Sequence, residues 1–529
     1  MFYNSSGEYN DCVSHGACSI PPNISSMNEV MITILRETAF YLVNIRKAGI
    51  NNNEILNELL YFLAFLDCFK DFSESQIIDI FLREYSNLNA VKEIYKKYCF
   101  ENNINCIELK NSLKLPSELN FSYIIKLGEK QYYNRLKKQT AEKKNLNEII
   151  ICTARNTSLN LVNLSEYNIF DVQAENLILN SLNFLNFNNQ DIEKLKYYIN
   201  ELSQTSVSIL EKLNSIITDT YGYLEKSSVS TSTIPNKAIM VSGSNLSDLD
   251  NVLKASENFE IDVYTNGNLL LAHAYPHFKN FKNLKGHFGT DTLSNILDFA
   301  TFPGAILLTK HESQNIEYLY RGRLFSTEKI PPNGVSKITN NDFTPLIDSA
   351  IQAKGFAKGQ IKDNKNVGFN YNEIDDILNK FISLNSDLIF ITGFVDNSVN
   401  AYNYLKTFLS NLPENFSAIS FSHNLDKTNI LYFDICNNFS ISYFILKKLF
   451  SKISISSKKV YFIFTKCDAN TLTNMIYLKN KGAENICLVE CSSILINPAV
   501  FKVFNNLYNI KTLSNPISDI KEIIKKGTL

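Results

Sequence analysis

Histidines, cysteines and carboxylates stand where this chain turns after apolar runs, and those turns decide what chemistry is open to it. Lys310-His311-Glu312 follows the run 305–309, Ser422-His423 follows 418–421, and Thr465-Lys466-Cys467-Asp468 follows 460–464. Cys436 stands in Ile435-Cys436-Asn437-Asn438. One thiolate, one imidazole and one or two carboxylates suit a single zinc or iron ion with an open coordination position. His311, Glu312, His423, Cys436, Cys467 and Asp468 are therefore the candidate metal ligands. The plainer reading makes Cys436 and Cys467 ordinary buried thiols and lets His423 and Asp468 satisfy buried polar groups. Near the start, Cys12 and Cys18 lie six apart in a polar, glycine-containing segment. Taken alone they are two free thiols.

The elements that must position these residues are legible from periodicity. Residues 238–241 form a short apolar run, followed by Ser242-Gly243-Ser244 and a helical pattern over 246–255. A second run, 261–264, breaks at Thr265-Asn266-Gly267-Asn268, and a third follows Phe302-Pro303-Gly304. Short β-rich runs separated by helix and glycine-marked turns read as βαβ units in a mainly parallel sheet. Ligands bind beyond the carboxyl ends of such strands, which singles out Ser244, Asn268 and residues 310–312. The last part repeats this grammar: runs at 388–392, 418–421, 460–464 and 486–489 alternate with helical stretches at 402–409, 438–449 and 470–480.

Upstream, Ser26-x-x-Glu29 reads as a capping box before Met31, Ile34, Leu35, Leu42 and Ile45 at helical spacing, with Gly49 as the stop. Similar patterns cover 53–69, 75–98 and 191–225, so an up-and-down helical bundle is expected. The Ser/Thr run 227–233 ending at Pro235 is a compositional break. The predicted architecture is multidomain: an N-terminal all-α bundle over 1–235 that includes the cysteine segment, then two Rossmann-like α/β domains, 236–365 and 366–529.

The segment 238–309 resembles the hybrid cluster protein family, also called prismane or hydroxylamine reductase, and distantly the carbon monoxide dehydrogenases. The resemblance rests on Val241-Ser242-Gly243 with Leu246-x-Asp248-Leu249, on Val263-Tyr264-Thr265-x-Gly267, on Ala272-His273-x-Tyr275-Pro276 and on Phe302-Pro303-Gly304. Tyr320-Arg321-Gly322-Arg323, Asp342-Phe343 and Gly355-Phe356 extend it. The resemblance implies a conventional iron–sulfur cluster held by four N-terminal cysteines, and a hybrid iron–sulfur–oxygen cluster that reduces hydroxylamine or nitric oxide. Here Tyr3 and Ser6 stand where the first two cysteines belong, leaving Cys12 and Cys18 as remnants. At the hybrid cluster the family's histidine is Ser244, its first glutamate Asn268, its first cysteine Glu312, and its sulfur-carrying cysteine Val395. The next cysteine is His423, Cys436 is retained, Asp468 replaces the second glutamate, and a nearby lysine is Asn470. Valine offers no lone pair, and serine and asparagine are weak iron ligands. The expectation is a protein without cofactor, acting as a pseudoenzyme or binding scaffold. The alternatives are a reductase working through an altered iron or iron–sulfur site, and small-molecule binding in the interdomain crevice.

Composition narrows the partners. With 52 basic and 53 acidic residues the net charge is −1, so no electrostatic field calls for nucleic acid. The apolar patch 55–66 is too short to span a bilayer and carries Asn57 and Glu58. Ten scattered cysteines without a C-x-x-C pair point to reduced thiols and a cytoplasmic setting. An unknown protein or small molecule is the expected partner.

Overall fold

A computed structural model describes residues 22–527 except 111, 117, 137–138, 188, 290–294, 311–317, 394–398, 426, 437 and 495–497. Its first part is helical: α1 (Pro22–Lys47), α2 (Asn53–Ala64), α3 (Glu74–Glu101), α4 (Phe121–Leu136), α5 (Ala141–Ser165), α6 (Val172–Phe184) and α7 (Ile192–Tyr221). Helix α1 lies against α3, α4 and α6 and is buried on nearly every side, which its dense Met, Ile, Leu and Val content permits. It starts earlier than the expected capping box. Ser26 sits inside the first turns, where its Oγ donates to the Pro22 carbonyl at 3.1 Å, because Pro22 needs no amide partner at a helix start. The stop is where the sequence put it: Gly49 has φ +78°, and Ile50 N–H donates to Ile45 O at 2.9 Å. A capping box does form at Ser73 and Gln76, ahead of α3. Among the described residues no helix is long and apolar enough to cross a membrane.

Helix α3 buries an acid. Glu84, 3% exposed, meets Arg83 Nε at 3.3 Å and Asn87 Nδ2 at 3.4 Å. Burial first, and Glu58 second, push its carboxyl up to about 7 against the pull of Arg83 and Asn87. The folded chain thus holds this proton more tightly than the unfolded chain, and stability falls as pH rises from the ordinary carboxylate range to about 7. Glu84→Gln keeps the shape and removes the charge. It is expected to raise the unfolding free energy by about 3 kcal/mol at pH 8 and by less than about 1 kcal/mol at pH 5. Urea midpoints at the two pH values check this, and an equal change at both would refute it.

The rest is strand and helix in alternation. The strands are β1 (Ser227–Val229), β2 (Lys237–Ser242), β3 (Ile261–Asn266), β4 (Leu284–His287), β5 (Ala305–Leu308), β6 (Leu324–Ser326), β7 (Ser336–Lys337) and β8 (Lys365–Val367). They continue as β9 (Leu388–Thr392), β10 (Phe416–Ser420), β11 (Ile430–Tyr432), β12 (Val460–Cys467), β13 (Asn485–Ile494) and β14 (Lys511–Leu513). The first six-stranded sheet has the order β4-β3-β2-β5-β6-β7, all parallel. The second has the order β11-β10-β9-β12-β13-β14, with β9 parallel to both β10 and β12. Both are doubly wound, with the order reversing beside the first strand. The same device opens both sheets: the glycine after the first strand, Gly243 at φ +139° and Gly393 at φ +133°, turns the chain where a side chain would be strained.

The family motifs turn out to build the core of the first sheet. Ala238, Met240, Tyr264, Phe302, Tyr320 and Ile306 pack together, and Phe356 adds a ring 5.5 Å from that of Phe302. Arg323 donates to the carbonyls of Phe299, at 2.9 Å, and of Phe302 and Gly304, fastening the turn that feeds β5. The Ser/Thr run that reads as a break begins with a strand. In it β1 pairs antiparallel with β8, Ser227 opposite Val367 and Val229 opposite Lys365. By contacts the chain divides into two compact units: Met1–Leu210 with Lys466–Leu488 and Ser492–Thr512, and Glu211–Thr465 with Val489–Cys491 and Leu513–Leu529.

One thiol pair departs from the expectation of reduced cysteines throughout. Cys99 and Cys106 are disulfide-bonded, with Cα atoms 5.7 Å apart, because a turn after α3 brings them together. Cys152, Cys436, Cys467 and Cys487 are not disulfide-bonded.

Candidate functional site

The strand ends of the first sheet are tied to one another by polar side chains. Ser242 Oγ donates to Asn266 Oδ1 at 2.8 Å, and Asn266 Nδ2 donates to Phe288 O at 2.7 Å and to Asp298 at 3.0 Å. Asn245 caps helix α8 (Leu246–Ser256) by accepting from Asp248 N–H. The buried Asp248 carboxylate accepts from Lys310 N–H at 3.0 Å and from Thr327 Oγ1 at 2.6 Å, with Lys310 Nζ at 3.8 Å. One carboxylate thus ties the loops after β2, β5 and β6. Ser244 N–H donates to Thr309 Oγ1, and Leu269 N–H reaches across to Gly243 O at 2.9 Å. Ser244 and Asn268 therefore stand at adjacent strand ends, the first exposed and the second half-buried.

Cys436 joins them from the second sheet. It follows β11 in a left-handed conformation, φ +49°, and its sulfur accepts from Leu271 N–H, three residues beyond Asn268. The Asp434 carboxylate accepts from the Tyr432 hydroxyl and from Cys436 N–H, with Lys365 near enough to favour its charge. Burial, and after it Asp434, push the Cys436 thiol far above its ordinary range, so it stays protonated. Burial raises Asp434 and Tyr432 as well. Cys436 and Asp434 nonetheless keep some accessible surface.

Two neutral imidazoles lie behind this group. Thr265 Oγ1 is 2.9 Å from His273 Nε2 and 3.0 Å from His287 Nδ1. Burial lowers His273 to about 4; burial, then Lys365, then His273 lower His287 to about 3. Lys365, Tyr432, Asp434 and His287 carried no signal in the sequence. Lys365 reaches the site only because β8 pairs with β1, an antiparallel contact more than a hundred residues long in sequence.

The other candidates among the described residues do not combine into a ligand set. His423 is buried, with Nδ1 2.7 Å from Ser422 Oγ and the Tyr402 ring centroid at 4.2 Å. Burial holds it at about 4, and Nε2 has no partner in hydrogen-bonding geometry. Asp468 caps the helix Ala469–Asn480 in a reciprocal box with Thr471, and Lys466 Nζ lies at 2.8 Å. Burial opposes its charge, but Lys466 and the Thr471 donors outweigh burial and hold the carboxyl below its ordinary value. Asn470 Oδ1 accepts from Asn474, and Cys467 is a buried thiol raised well above its usual range by burial. Among the described residues no three His, Cys, Asp or Glu side chains gather as a metal site. Cys12, Cys18, His311, Glu312 and Val395 lie outside the described residues.

Comparison with known proteins agrees with the fold. A model of the Prismane/CO dehydrogenase family matches residues 8–416. The hydroxylamine reductase of Thermodesulfovibrio yellowstonii is 24% identical over 553 residues, covering 98% of each chain. That of Rippkaea orientalis is 22% identical over 568 residues, with 97% of each chain covered. That of Moorella thermoacetica is 28% identical over 343 residues, 60% of this chain and 79% of the other. With a match of this extent over the doubly wound sheets and the helices before them, the chain belongs to the Prismane/CO dehydrogenase family.

Proposed function

We propose that this chain is a cluster-free member of the hydroxylamine reductase-like family, a scaffold that keeps the fold and has given up the redox centre. The observation that carries the reading is the donor set that accompanies Cys436. An iron–sulfur centre needs several thiolates, and binding requires each to lose its proton. Cys436 is the one cysteine retained among the hybrid-cluster positions, and one thiolate cannot complete such a set. Ser244 and Asn268 beside it offer only weak neutral oxygen and nitrogen donors. Asp468 is spent as a helix cap. This donor set does not fit a hybrid cluster.

The test is reduction of hydroxylamine by dithionite-reduced methyl viologen, with protein purified anaerobically and the Thermodesulfovibrio yellowstonii enzyme run in parallel. The scaffold reading expects ammonia at the rate of buffer alone. Turnover comparable to the reference enzyme would favour a reductase with an altered iron site and sink the proposal.

A further inference from the structure

Helix α3 closes with a turn that its own backbone builds. Asn103 adopts φ +53°, its N–H donates to Phe100 O at 3.3 Å, and Ile104 N–H donates to Cys99 O at 2.9 Å. The chain beyond is exposed at Ile104, Asn105, Ile107 and Glu108. Two ties fix this stretch. Cys106 is bonded to Cys99, and Ile107 N–H donates to the Tyr95 hydroxyl at 3.3 Å. Farther on, the chain is anchored independently, where Leu113 is buried and its N–H donates to the Glu37 carboxylate at 2.8 Å. The stretch therefore has firm anchors at both ends and one covalent clasp in the middle. It carries exposed apolar side chains, with Ile104 49% and Ile107 61% accessible, near the exposed Phe100 at the end of α3, so its position shapes an apolar patch on the surface.

The geometry points to Cys99–Cys106 as a thiol–disulfide switch that pins residues 104–110 beside α3 when oxidised and releases them when a dithiol reductant opens the bond. Cys99 is 3% exposed whereas Cys106 is half-buried, so the Cys106 sulfur is the one open to attack. A thiolate of the reductant bonds to Cys106, the S–S bond breaks, and Cys99 departs as a thiolate that takes up a proton. The second thiol of the reductant then displaces Cys106 from the mixed disulfide. Two electrons and two protons pass to the pair, and the reductant leaves as a disulfide. The helix-closing bonds and the Glu37 anchor do not involve the sulfurs, so the change stays local.

Hydrogen exchange on the full-length protein, read by mass spectrometry with and without dithiothreitol, tests this. Protein purified without reductant should yield a Cys99–Cys106-linked peptide. Dithiothreitol should speed exchange in residues 104–110 by about tenfold while α3 stays protected. Cys106→Ser should show the fast rate in both conditions, which assigns the effect to this pair rather than to other cysteines. Absence of the linked peptide even after oxidised glutathione, or exchange in 104–110 that ignores dithiothreitol, would overturn the proposal.

Discussion

Replacing Gly304 by alanine is expected to destabilise the protein by on the order of 4 kcal/mol, and by valine to abolish soluble expression. A Cβ at Gly304 would lie 1.9 Å from the Ala238 carbonyl oxygen and 2.9 Å from its carbon. That carbonyl belongs to the backbone of β2, the central strand of the first sheet, and cannot swing aside as a flexible side chain can. Relief requires β2 and β5 to part, which breaks their ladder and the packing of Phe302 beneath it. Gly322 provides the internal control. It has nothing within 4 Å of its would-be Cβ, so Gly322→Ala should change stability by less than about 0.5 kcal/mol. Urea midpoints of both variants decide the matter; a Gly304→Ala protein within about 1 kcal/mol of the parent would show that the close approach is not real.

The second large effect is acid sensitivity centred on His273 and His287. Both are held neutral in the fold, at about 4 and about 3, whereas in the unfolded chain each takes up a proton near the ordinary histidine value of 6.5. The unfolded state binds more protons throughout that interval, so the stability is present in full above pH 6.5 and is lost as pH falls through it. Between pH 7 and pH 5 the pair should remove about 4 kcal/mol. A His273→Gln, His287→Gln double variant, whose amides can still bond Thr265, should lose about 4 kcal/mol less than the parent over the same range, His423 titrating in both. Matching pH slopes for parent and variant would contradict the assignment.

How much of this could be read beforehand varies with the reach of the physics. Helix α1, the runs that became β2, β3, β5, β9 and β12, and the stop at Gly49 follow from periodicity and turn chemistry, which act within a few residues. Strands β4, β11 and β14 are short and have no alternation long enough to register. Strand β1 went unseen for a different reason. Its serines and threonines look like a linker by composition, yet Val229, Thr231 and Thr233 are buried in alternation with Ser230 and Ser232, a period-two pattern that composition conceals. At the site, Ser244, Asn268 and Cys436 came from a resemblance; the first two stand at adjacent strand ends of the first sheet, and Cys436 follows β11 in the second. Lys365, Asp434 and His287 were missed because long-range pairing, not local pattern, brings them there. Asp468 shows that an acid at a strand end can serve as a helix cap, and Thr471 three residues later was the clue.

Iron and acid-labile sulfide, measured on anaerobically purified protein from cells supplied with iron and cysteine, test the central claim that the family fold is kept without its clusters. The account predicts less than about 0.2 of each per chain, with no visible absorption beyond the protein band. About four or more iron and sulfide per chain, with a broad charge-transfer band bleached by dithionite, would contradict it.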